Sequence, residues 1–461
     1  MTNRKDDLVA DVEFIFSECG RFNCLLMERP NGYKEELQGN AFCDLPHPSG
    51  RGHMICGRKA IERLESLAAR ARSHADIAQQ VSLQSVRKPL AEILVRRFLK
   101  ERQTVDIRHV DRALAEAGRV AASKRLTLTH FVPCHLMIAQ NPSTFTIGPI
   151  RFHSRSSFRS LLAQHVQANR IQGIRRDRKV LSDMVRYYKT FGWVAEVTIP
   201  ECDKQTSDDL AKTAVIAALD CLHLLLGPGH TRKMIVGGPA INRDKRGRFS
   251  ITATGELNLM ASYGGPGEVA FEDDWFTLFD RPDYGEVMKL CGVALEAAAD
   301  PTLDRPLSDR FLEAALWFGE AVRESSLAAK VVKYVTALER IMMTDEKDDI
   351  TSVISERVAA LCFDPRTIES REQWLRKAQR AYTLRSKLVH GSMSPKSPAV
   401  SEGVRLGAEV GQQAILSTLL AFGETALRSE GVSSRELARW FHGVIAHADR
   451  LVSGGEAALK R

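Results

Sequence analysis

The chain has 461 residues, 44% hydrophobic and 26% charged, with a net charge of +8 and a pI near 9.0. That length calls for two or three domains, and no apolar run is long enough to suggest a transmembrane helix. Nine cysteines without a dense framework exclude a disulfide scaffold and read as reduced thiols.

Met1-Thr2-Asn3-Arg4-Lys5-Asp6-Asp7 carries charge where a secretory signal needs an apolar stretch, so a cytoplasmic location is expected. The basic balance argues mildly for a polyanionic partner, since clustered Lys and Arg gain by displacing counterions from phosphates.

From Val9 to Cys56, short apolar stretches such as Val12-Glu13-Phe14-Ile15-Phe16 alternate with Pro, Gly and Asn and predict short strands and turns. Cys43, His47, His53 and Cys56 hold metal-capable atoms, but their irregular spacing lacks a Cys-x-x-Cys knuckle, so no metal is expected. Gly57 to Ala122 reads as mostly helix, with Ile61, Leu64, Leu67 and Ala68 at helical spacing.

Leu126 to Val132 and Thr144 to Phe152 are β-like, a hairpin or a pair of sheet strands, with Asn141-Pro142-Ser143 as the turn between them. Helices are then expected over Ser157–Asn169 and Lys179–Thr190, a strand over Val194–Ile199, and an apolar helix over Ser207–Leu226 that stops at Gly227-Pro228-Gly229. Lys233–Val236 and Phe249–Met260 read as strands around a basic turn, Arg243 to Arg248. Gly227-Pro228-Gly229-His230 and Gly264-Gly265-Pro266-Gly267 lack the Lys and following helix of a phosphate loop and read as turns. A helix from Tyr284 to Ala298 precedes the break Asp300-Pro301 to Arg305-Pro306, taken as a domain boundary.

Beyond Ser308 the pattern is helical. Phe311, Ala315, Phe318 and Val322, then Leu327, Val331, Tyr334, Leu338 and Met342, form one apolar stripe, either a long helix or a pair kinked near Glu324-Ser325-Ser326. A second helix runs from Ile350 to Cys362. A third opens on the capping-box pattern Ser370-Arg371-Glu372-Gln373 and ends near His390-Gly391, with Gly391 suited to the left-handed C-cap position. Helices Glu402–Ser429 and Ser433–Leu451 complete a bundle. The expected division is 1–125, a mixed α/β segment; 126–304, an α+β sensing or regulatory region; and 305–455, an all-α bundle, mainly α overall.

The run Arg380-Ala381-Tyr382-Thr383-Leu384-Arg385-Ser386-Lys387-Leu388-Val389-His390-Gly391 resembles the hallmark of HEPN domains, an Arg followed by a polar residue and standing five positions before a His. Ala337-Leu338-Glu339 and Ser355-Glu356-Arg357-Val358-Ala359-Ala360-Leu361 look like the corresponding segments of the ApeA-like HEPN subfamily. The resemblance covers the last third of the chain. The N-terminal region matches only in outline, at Phe145 to Phe152.

The resemblance implies a metal-independent, cofactor-free endoribonuclease that acts on RNA as a homodimer, a defence or stress effector whose N-terminal region answers a trigger. Arg385 and His390 are the expected catalytic pair. Five helical residues turn about 500 degrees, so the two side chains diverge by some 140 degrees unless the last turn loosens at His390. Ser386 is expected to hydrogen-bond the phosphate or the His, and Glu339 to orient Arg385; Tyr382 and Arg357 are read as holding the bundle together. A HEPN-type dimer that binds RNA, a nucleotide or a protein without cutting, and a toxin-like subunit under a separate antitoxin, are the alternatives.

Overall fold

The computed structural model describes the chain except for residues 1–5, 29–42, 172–181, 183–184, 238–243, 252–256, 265–270, 347–348, 367–369 and 460–461. It is mainly helical, with 68% helix and a small antiparallel sheet region. No described helix is long and apolar enough to cross a membrane. The chain divides into two compact units, 1–128 with 199–209, and 129–198 with 210–461.

In the first unit, α1 (Asp6–Glu28), α2 (Arg58–His74), α3 (Leu83–Leu94, extended by a wider turn over Val95–Lys100) and α4 (Ile107–Ala122) enclose a core that includes Leu64, Leu67, Leu90 and Leu114. α1 corrects the expected strands. Its buried stripe Leu8, Val12, Ile15, Cys19 and Phe22 has helical spacing, whereas Phe14 and Phe16, which made the stretch look strand-like, are only partly buried. β1 (Cys43–Pro46) and β2 (His53–Cys56) form a hairpin in the register Cys43↔Cys56 and Pro46↔His53. Ser82 caps α3, and its hydroxyl also donates to Asp203 Oδ2 at 2.7 Å.

The second unit contains most of a five-stranded sheet in the order β4-β5-β6-β3-β7, from β3 (Leu126–His135), β4 (Thr144–Ile147), β5 (Ile150–Ser154), β6 (Trp193–Cys202) and β7 (Ile235–Val236). The expected turn at Asn141-Pro142-Ser143 does not join a hairpin. The tight turn is Gly148-Pro149, between β4 and β5, because Gly148 supplies the positive φ (54°) that a two-residue hairpin needs at its first position. Helix α5 (Arg155–Ile171) follows, and His153 joins it to the sheet, with Nδ1 3.2 Å from Ser157 Oγ and Nε2 2.6 Å from Glu196 Oε2. The expected helix Lys179–Thr190 lies partly outside the described residues; 185–188 are helical.

Helix α6 (Lys204–Leu226) is followed by β8 (Asp244–Ile251) and β9 (Leu257–Gly264), paired antiparallel from Asp244↔Gly264 to Ile251↔Leu257. The basic stretch expected as a turn is therefore largely strand. Pairing depends on the backbone of a partner strand, which local charge does not report. The run Gly265 to Gly267 lies outside the described residues.

α7 (Pro282–Ala299), α8 (Pro306–Arg323), α9 (Leu327–Met342), α10 (Ile350–Cys362), α11 (Arg371–Val389), α12 (Ala399–Leu427) and α13 (Ser434–Leu459) form a bundle. The apolar stripe resolves into the kinked pair, α8 and α9, with Ser326 capping α9. The break at Asp300–Pro306 does not separate compact units. α7 buries Val287, Leu290 and Val293 and packs on α8 and α12, while Pro306 opens α8 at a position whose N–H needs no helical partner.

Gly148 and Gly292 of α7 meet backbone to backbone: a Cβ on Gly148 would lie 2.2 Å from the Gly292 carbonyl oxygen. Gly148→Ala combines a positive φ with this clash and is expected to cost roughly 2–4 kcal/mol in urea unfolding. A loss below about 1 kcal/mol would show that the contact does not constrain the fold.

Candidate active site

Helix α11 starts where the sequence placed it. Ser370 Oγ accepts from Gln373 N at 3.2 Å, and Gln373 Oε1 accepts from Ser370 N at 2.7 Å, so both halves of the capping box form. Its C-cap is His390. Gly391 takes φ +72° and donates to Leu388 O at 3.3 Å, and Met393 N donates to Lys387 O at 3.1 Å.

α9 and α11 pack together and bring three of the expected site residues into one group. Arg385 Nη2 lies 2.9 Å from Glu339 Oε2, and Tyr382 Oη donates to Glu339 Oε1 at 3.1 Å. The guanidinium carbon stands 5.5 Å from the centre of the Tyr382 ring. Both charged side chains are about four-fifths buried, at 20% and 22% exposure. Arg385 Nε is buried and has no hydrogen-bond partner among the described residues. Burial raises the Tyr382 phenol above its ordinary value, and the neighbouring Glu339 carboxylate raises it further.

His390 and Ser386 are not drawn into this group; among the described residues no hydrogen bond joins either side chain to Arg385 or Glu339. His390 N donates to Ser386 O at 2.9 Å, and the residue keeps φ −86° and ψ 7°. The last i→i−4 bond of the helix is thus kept while the His390 backbone has already left helical geometry. α11 ends at Val389, and His390 follows as its C-cap residue with an exposed side chain. Val389 beside it is 52% exposed.

No family model, no curated protein and no solved structure matches this chain.

Arg357 is buried at 4% exposure, bonds to the Met342 carbonyl and Glu346, and lies 4.3 Å from the Phe441 ring centre, linking α10 to α13 and to the end of α9. Burial raises the Glu346 carboxyl, but hydrogen bonds from Thr344 and Arg357 outweigh it and bring the pKa to about 2. His47 of the Cys43–Cys56 hairpin has Nδ1 2.7 Å from Ser49 Oγ, and Cys56 is fully buried. No group of three or more His, Cys, Asp or Glu placed to hold a metal occurs among the described residues.

Sequence reasoning missed a second ionisable cluster. Asp220 and His223 on α6 are fully buried, and Arg323 at the end of α8 reaches both: Nη1 lies 2.7 Å from Asp220 Oδ1 and 2.9 Å from His223 Nε2. Thr231 donates to the Gly227 carbonyl at 2.9 Å, so His223 Nδ1, 2.8 Å away, is the donor to Thr231 and Nε2 accepts from Arg323. A neutral His is required. Burial and the Arg323 charge lower the His223 pKa to about 3, while burial raises Asp220 to about 7 against the pull of Arg323. Gly319 makes room, since a Cβ there would lie 1.8 Å from Asp220 Oδ1. The available signal was two ionisable residues three apart within Leu219-Asp220-Cys221-Leu222-His223-Leu224, an otherwise apolar stretch.

Proposed function

We propose that the chain is a metal-independent endoribonuclease of HEPN type, with a composite active site formed across a homodimer. The observation that carries this reading is the disposition of Arg385 and His390. One is ion-paired and largely buried on the flank of α11; the other stands exposed at the end of the same helix.

In this reaction a ribose 2′-oxygen attacks the adjacent phosphorus as its proton passes to a base. The P–O5′ bond breaks, the leaving 5′-oxygen takes a proton, and a 2′,3′-cyclic phosphate remains. Arg385 supplies fixed positive charge to the phosphoryl oxygens as negative charge builds on them. His390, favoured in its protonated form at a helix C-terminus, gives the proton to the leaving oxygen. Across the dimer the two Arg385–His390 pairs face one cleft, so the His390 of one copy gives the proton to the leaving oxygen and that of the other copy takes the proton of the 2′-hydroxyl. Glu339 orients Arg385, and Ser386 contacts the phosphate or the His. The chain works in the cytoplasm as a defence or stress effector, with the N-terminal region answering a trigger.

The purified chain, incubated with a mixed RNA pool in EDTA, is expected to release fragments with cyclic phosphate ends and to sediment as a dimer. RNA retention without cutting, unaffected by His390→Ala, favours the non-catalytic binding dimer. A monomer that cuts at full rate would remove the composite site.

A further inference from the structure

The second unit contains a cavity of about 380 Å³ between α5, the helical turn 185–188 and β6, within the range of small-molecule sites. Among the described residues, the cations Arg155, Arg159 and Lys189 line it and no carboxylate does. Arg155 is anchored through Nε, which donates to Phe191 O at 3.0 Å, leaving its terminal N–H groups for a ligand. Neither Arg159 nor Lys189 is paired with a carboxylate among the described residues, and both are exposed. A cluster of like charges is stabilised by an anion that neutralises it.

The walls state what the rest of the ligand must be. Phe158, Leu162, Val166 and Val194 offer only hydrocarbon, and the one hydroxyl among the described lining residues, on Tyr188, already donates to Phe131 O at 2.5 Å. The Phe158 and Tyr188 rings stand 5.0 Å apart and close one side. A nucleobase would bury its hydrogen-bonding edge against groups that cannot answer it, a cost an aliphatic tail does not incur.

We propose that this cavity binds an amphipathic organic anion, its carboxylate or phosphate head held by Arg155, Arg159 and Lys189 and its apolar tail laid along Phe158, Leu162 and Val194. The site stands independently of the ribonuclease reading. Calorimetric titration of the full chain with decanoate and with dodecyl phosphate, below their micelle concentrations, separates the two head groups; decanol and adenosine monophosphate are the contrasts.

Saturable one-to-one binding of either anion is expected, with decanol at least ~tenfold weaker because it lacks the charge-assisted bonds. The double variant Arg159→Gln/Lys189→Gln, at two exposed positions, should weaken the anion by at least a similar factor. Ala163→Trp, exposed at the lining, should abolish binding by filling the space. Decanol binding as tightly as decanoate, adenosine monophosphate binding in preference to both anions, affinity unchanged in the variants, or no saturable binding would each overturn the proposal.

Discussion

Replacement of His390 by Ala is expected to cut RNA cleavage by about 10²- to 10⁴-fold, the contribution of a positioned acid or base, while leaving the fold intact. The side chain is exposed and makes no side-chain hydrogen bond among the described residues, so its loss should shift unfolding by less than about 0.5 kcal/mol. Arg385→Ala should cost about 10²- to 10³-fold, the scale of one lost charge-stabilising donor. It also releases Glu339 from its 2.9 Å pair; Tyr382 remains hydrogen-bonded to that carboxylate, and the pair is partly exposed, so stability should fall by no more than about 1 kcal/mol.

Glu339→Gln keeps an acceptor near Arg385 without the charge, and a loss of about tenfold is expected if Glu339 orients the guanidinium. Initial rates on a labelled oligoribonucleotide, with circular dichroism of each variant, measure these effects. Wild-type rates in both His390→Ala and Arg385→Ala would end the catalytic assignment. A gel-shift assay separates the readings, since His390→Ala should still bind RNA.

Arg323→Ala is expected to be the most damaging single substitution for stability, costing roughly 3–5 kcal/mol at pH 8, because a buried carboxylate and a buried imidazole lose their common partner. The cost should be smaller at pH 5. Asp220, raised from 3.8 to about 7, is protonated there and buries no charge. Urea unfolding at the two pH values measures the difference; equal losses below about 1 kcal/mol would place the cluster in contact with water.

The same cluster predicts opposite pH slopes in two further variants. A carboxyl whose folded pKa is raised binds more protons when folded, so the stability from Asp220 is complete below pH 3.8 and is lost as pH rises through about 7. His223, lowered from 6.5 to about 3, binds fewer protons when folded, so its contribution is present above pH 6.5 and is lost as pH falls through about 3. Between pH 4 and 6.5 the unfolded chain holds its proton on His223 and the folded chain holds it on Asp220, so the slopes nearly cancel. Relative to wild type, Asp220→Asn should therefore gain stability with rising pH and His223→Gln should lose it. Parallel profiles for wild type and both variants would refute this distribution of protons.

Much of the helical bundle was legible from local sequence, because its signals act within a few residues. The period of Phe311, Phe318, Val331 and Tyr334, the Ser370–Gln373 capping box, and Gly391 in the left-handed region are each decided by a neighbouring turn of backbone. The Arg385-to-His390 spacing was equally plain, as was Glu339 as a partner for Arg385. Whether the helix loosened before His390 was not, since that depends on which backbone bonds survive at its end.

Tertiary structure alone decided the rest. α1 was misread because a dense apolar run hides which members are buried, and β8 because a strand forms only when a partner backbone is present to satisfy it. Asp220 and His223 acquire their protonation states from burial and from Arg323, about a hundred residues away in sequence, and the Arg155, Arg159 and Lys189 cavity exists only where α5 lies over the sheet. Local spacing governs helices and their ends; desolvation and charge pairing belong to groups that only the folded chain brings together.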